Sequence, residues 1–133
     1  MATNQRQARR IVARGISAWE RDDFESALET FQDVLKDHPR FADVHNKAGL
    51  CLAMLNRLEE SLVHFDRAVE LNASYAEAHL NRGIILKDLG RHDEAAEAFS
   101  KAGELDSKDS PVFPSEVGNR IAVTLAQLGD LYL

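Results

Sequence analysis

Long apolar runs are missing from this chain. Nowhere do about 18 consecutive apolar residues occur, so no segment spans a bilayer as a helix. Cysteine is scarce: Cys51 stands alone, which excludes an internal disulfide. The stretch from Met1 to Arg6 has no apolar core and does not read as a secretory signal. Together these absences point to a reducing cytoplasm. Strand-like alternation is also absent, so the expected fold class is all-α. There is no glycine-rich phosphate loop, no His-Glu-x-x-His and no G-x-S-x-G. The chain is therefore expected to hold no catalytic residue, no metal and no cofactor.

Basic residues are in the minority, 16 Lys and Arg against 22 Asp and Glu, for a net charge of −6. The distribution is uneven. Residues 1–14 hold Arg6, Arg9, Arg10 and Arg14 and no acid, leaving −10 on the other 119 residues. A nucleic-acid binder needs a basic face, and an acidic body argues against that class here. With 133 residues and an ordinary 44% hydrophobic content, the chain makes one domain or a short array of repeats.

What is present is a period. Gly15, Gly49 and Gly83 are spaced by 34 residues, as are Phe31, Phe65 and Phe99. Around them recur Ala18, Leu52 and Leu86, and Ala27, Ser61 and Ala95. A fixed period of this length marks a repeat array. Apolar residues at helical spacing predict helices over about 4–21, 24–36, 41–55, 58–71, 75–89 and 92–105. Breaks fall at Asp22-Asp23, His38-Pro39, Asn56-Arg57, Asn72 to Ser74 and Gly90, with Ser74 a candidate N-cap. A polar segment with two prolines follows from Asp106 to Pro114. A seventh helix is predicted over about 115–131. Each glycine lets two helices approach closely, and each phenylalanine is expected to fill the gap between one hairpin and the next.

A 34-residue helix–turn–helix with Gly in its first helix and Ala and Phe in its second resembles the tetratricopeptide repeat. The likeness covers residues 8–131, with repeats at about 8–41, 42–75 and 76–109 and a capping helix at about 115–131. It implies a single domain over 1–133, a right-handed superhelical solenoid whose first helices line a concave face. The usual early tryptophan of each first helix is replaced by Ile11, His45 and His79.

On that face, Ile16, Leu50, Ile84 and Val123 hold equivalent positions in four successive first helices. Val12, Trp19, Met54 and Leu80 flank them. Asn46, Lys47, Asn81 and Asn119 lie beside the row, the asparagines placed to hydrogen-bond a ligand backbone. An apolar row at a solvent-facing register marks a binding site. The expected function is a protein–protein interaction module, a scaffold or adaptor taking a peptide or helix of another protein in an apolar groove. The alternative is a homodimer formed through that groove or the C-terminal helix. Some family members clamp the acidic tails of heat-shock chaperones with Lys and Asn side chains. The matching positions, Val12, Ile16, Lys47, Glu77 and Asn81, do not carry the clamp residues, and Glu77 has the wrong charge.

The remaining candidates have plain structural readings. His45 and His79 are expected to pack, and His38, His64 and His92 to lie in turns or at the surface. Cys51 sits among apolar neighbours as a buried thiol. Arg6, Arg10 and Arg14 share one helix face, read as the solvated outer surface of the first repeat; the other reading is a contact with an acidic partner or an upstream domain.

Overall fold

The computed structural model describes residues 3–109, with side chains to residue 105. Six helices occupy that span: α1 (Gln5–Glu20), α2 (Phe24–Asp37), α3 (Ala42–Met54), α4 (Leu58–Leu71), α5 (Ala76–Asp88) and α6 (His92–Asp109). There is no strand among the described residues. The predicted seventh helix lies outside them, as do Asn119 and Val123. The chain divides into two compact units, residues 1–73 and 74–133, at the seam between the second and third sequence repeats. In the first unit α1 packs on α2, α2 on α3 and α3 on α4; in the second, α5 packs on α6.

The glycine and phenylalanine periods are one contact. A Cβ added to Gly15 would lie 2.5 Å from the Phe31 ring. At Gly49 the ring of Phe65 would be 2.7 Å away, and at Gly83 that of Phe99 would be 2.8 Å away. Each ring therefore rests on the bare backbone of its own hairpin's first helix. This revises the expectation that the rings fill the space between hairpins. The rings are almost wholly buried, and burying one contributes about 1.5–3 kcal/mol. Ala27, Leu28, Val34, Val44, Ala48, Cys51 and Leu52 complete the core of the first unit.

The turns inside the hairpins are also periodic. Asp22, Asn56 and Gly90 sit 34 residues apart, and all have positive φ, at 60°, 60° and 81°. Each closes its first helix with the same pair of backbone bonds. Asp22 N–H donates to Trp19 O and Asp23 N–H to Ala18 O, both at 2.9 Å. The pattern repeats at Asn56 and Arg57, and at Gly90 and Arg91. Left-handed backbone suits Gly first and Asn or Asp next, which explains the three residues chosen.

Local chemistry sets the other boundaries. Asn4 and Gln7 form a reciprocal capping box at the start of α1. Asp23 caps α2 through Ser26 N–H at 3.3 Å. The N-cap of α5 is Tyr75, not Ser74, matching Phe41 at the start of α3. Helix α6 runs to Asp109, four residues past the predicted end. Nothing breaks it before Pro111, which disfavours helix at the residue ahead of it.

Two glycine substitutions separate these causes. Gly49→Ala drives a Cβ into the buried Phe65 ring and is expected to lower unfolding stability by about 1–3 kcal/mol. Gly103→Ala in α6 meets nothing within 4 Å and is expected to raise it by about 0.5–1 kcal/mol. Urea denaturation of both variants checks the pair, and equal shifts would refute the packing account.

Candidate partner-binding face

The glycine contact orients everything else on a first helix. Positions three before and one after the glycine lie about 60° and 100° from it around the helix axis. The first set, Val12, Asn46 and Leu80, turns into the hairpin and is buried, at most 5% exposed. The second set, Ile16, Leu50 and Ile84, reaches the surface. Ile16 is 36% exposed, and Leu50 and Ile84 are half-buried. Met54 is 57% exposed. Lys47 is half-buried.

The predicted set therefore needs correction. Val12 and Leu80 are core residues, not flanks of an open face. Asn46 and Asn81 are buried too, and no buried side-chain nitrogen or oxygen among the described residues lacks a hydrogen-bond partner. Their amides serve the fold and are not held out to a ligand. Asn81 shows how neighbours decide this, since the equivalent Ala13 is exposed and Lys47 half-buried. Trp19 is partly buried against the core and meets Phe24 edge-on, ring centroids 4.9 Å apart. Its role is at least half structural.

The second repeat carries a polar set that the others lack. Ser61 stands where the flanking repeats have Ala27 and Ala95, and its hydroxyl donates to Gly49 O at 2.7 Å. Beside it, His45 on α3 and His64 on α4 meet Nδ1 to Nδ1 at 3.1 Å. His45 Nε2 lies 2.8 Å from Pro39 O, which accepts its proton. That leaves His45 Nδ1 as acceptor and His64 Nδ1–H as donor, an assignment made from the hydrogen-bond network. Burial holds both imidazoles below the ordinary histidine value. At His45 the Pro39 carbonyl opposes and Arg67 reinforces the shift; at His64 His45 reinforces and Glu60 opposes it. His64 was expected in a turn or at the surface. It is half-buried within α4, a placement its partner nineteen residues away explains and the local sequence does not.

Reactive chemistry has little support. Burial pushes the Cys51 thiol up to about 12, so it stays protonated near neutral pH. No group of three or more His, Cys, Asp or Glu among the described residues is placed to hold a metal ion. Arg57 grips Glu60 through two bonds, 3.1 and 2.7 Å, and Arg91 grips Glu94 in the same way at 3.0 and 2.7 Å. These acids lie in the first turns of α4 and α6, where carboxylates favour the helix. No described helix is long and apolar enough to cross a membrane.

Models of the tetratricopeptide repeat match residues 12–75 and 76–109, together 98 of the 133 residues. The chain belongs to the tetratricopeptide-repeat family. That is a protein-interaction fold, and its period places the corresponding structural residues of the repeats 34 apart. No curated protein matches the sequence. Solved structures share the fold. The type III secretion translocator chaperone SycD of Yersinia enterocolitica has a TM-score of 0.83 at 14% identity, covering 93% of this chain and 91% of that one. The Sgt2 TPR domain from Aspergillus fumigatus gives 0.80 at 16% identity, covering 97% and 82%. The second TPR of Spaghetti (RPAP3), bound to the HSP90 peptide SRMEEVD, gives 0.73 at 23% identity, covering 74% and 92%.

The histidine pair gives this repeat protein a pH dependence of defined sign. With folded values below the unfolded one near 6.5, the unfolded chain binds more protons as pH falls. The stabilisation is full above about pH 6.5 and is lost as pH drops towards the depressed values. Urea midpoints at about pH 7.5 and 5.5 are expected to fall more for the wild type than for His64→Leu, in which one titrating imidazole of the two is gone. An equal fall in both would remove the pair as the cause.

Proposed function

We propose that this chain is a non-catalytic binding module that takes a segment of another protein on the exposed face of its first helices. In the first unit Ile16 and Leu50 make the apolar contacts, with Met54, Trp19 and Lys47 beside them, and Ile84 holds the equivalent register in the second. One observation carries the reading. At the register 100° from the glycine, where polar residues would be tolerated, an aliphatic side chain stands three times and reaches the surface each time. Met54 supports it, since an exposed, flexible thioether adapts to varied partners. The fold neighbours that hold a chaperone peptide or are themselves chaperones fit a protein ligand in general. They do not supply its identity. An acidic chaperone tail fits poorly, because Glu77 stands at a clamp position and Asn81 beside it is buried. A single cysteine, with no second one to form an internal disulfide, suits a reducing compartment.

Peptide display on the wild-type chain tests the reading. Selected peptides are expected to be apolar, and Leu50→Glu is expected to weaken them by about tenfold or more, with an unchanged circular dichroism spectrum. The SRMEEVD peptide is expected to show no binding at concentrations that saturate the selected ones. Selection of acidic C-terminal tails, or binding indifferent to Leu50→Glu, would overturn the proposal.

A further inference from the structure

Arg6, Arg10 and Arg14 stand four residues apart on the exposed side of α1. No ion pair holds them among the described residues. Their neighbour Arg9, by contrast, is bridged to Asp43 and lies 4.1 Å above the Phe41 ring. The three are badly placed for α1 alone. Like charges four apart repel, and Arg6 sits in a first turn with no acid, where the helix dipole favours negative charge. A surface that needed only solvation would avoid this by mixing signs.

The repeat says what such a face is for. Arg10, Arg14 and Ser17 are equivalent to Val44, Ala48 and Cys51 on α3, which are fully buried on a helix that packs against α2. The outer side of α1 is thus the face that, one repeat later, a second helix covers. It keeps a cleft between Thr3, Gln7, Arg10, Ile11 and Arg14, with Ile11 half-buried as an apolar floor.

A helix with acids every four residues would fit, and the chain owns one. Glu25, Glu29 and Asp33 lie four apart on α2, all exposed, opposite its buried stripe of Ala27, Leu28, Phe31 and Val34. Of the three, Asp33 makes a long, exposed ion pair with Lys36, at 3.3 Å. Within one chain α2 turns its buried side to α1, so the two stripes cannot meet. Between two chains they can, three charges against three. Both are four-residue ridges, which pack into one another. We infer that this surface docks a second copy of the chain, the arginines of α1 in one copy meeting the acids of α2 in the other. The surface is separate from the first-helix face, and the inference does not rest on the binding function proposed for that face.

Light scattering after size exclusion, on the full chain over a concentration series, tests it. At about 50 mM salt the mass is expected to rise with concentration above that of a monomer, and at about 500 mM to fall back. Arg10→Glu/Arg14→Glu and Glu25→Arg/Glu29→Arg should each weaken association by about tenfold or more. An equimolar mixture of the two variants should recover it, because the reversed stripes match. A wild type that is monomeric at every concentration, association indifferent to salt, or folded variants whose mixture stays monomeric would each overturn the inference.

Discussion

In each hairpin a phenylalanine ring occupies the place where a side chain on the facing helix would begin. The contact tolerates only glycine there, since a Cβ would come within 2.5–2.8 Å of the ring. It sets how near the two helices lie and how each is rotated. Once the glycine points at the ring, the neighbouring registers have no freedom. Three residues earlier is core, and one residue later is surface. The aliphatic register at 16, 50 and 84 is therefore defined, within each hairpin, by the same contact that holds that hairpin shut.

The turns serve that contact. A left-handed residue at 22, 56 and 90 reverses the chain in the fewest residues and ties off the last carbonyls of the first helix. Asp, Asn and Gly reach that conformation with decreasing strain. The middle hairpin adds polar bonds to its packing. The Ser61 hydroxyl and the paired rings of His45 and His64 join α3 to α4. Satisfied buried polar groups of this kind specify one arrangement, and they make it sensitive to protonation.

Fold and ligand part company in this family. Structures that superpose on most of the chain at 14–23% identity include a secretion chaperone and a domain holding an acidic chaperone peptide. The shared part is the helical-repeat fold. At such identities most side chains on the faces that the fold leaves open are not shared. Glu77 is acidic at a clamp position, and the outer side of α1 is basic while the rest of the chain carries −10.

Much of the fold was legible because its constraint is local and periodic. Glycine, phenylalanine and turn residues repeat at 34, and the helix limits follow from caps and breakers within a few residues of each end. The face was legible only in part. Ile16, Leu50 and Met54 reach the surface as their spacing suggested, but Val12, Asn46, Leu80 and Asn81 do not. A period shows which positions are equivalent, and burial depends on what covers each one. Ala13, Lys47 and Asn81 share a register and differ from exposed to buried. His64 was misplaced for the same reason, since its partner is nineteen residues away. The sequence by itself determined the repeat and the helices, because those depend on neighbours in the chain, whereas the seat of each phenylalanine ring on the glycine of its own hairpin came from the tertiary structure. Only the tertiary structure decided which asparagines and histidines are turned inward and which apolar residues stay at the surface. That depends on contacts between helices, which no local pattern records.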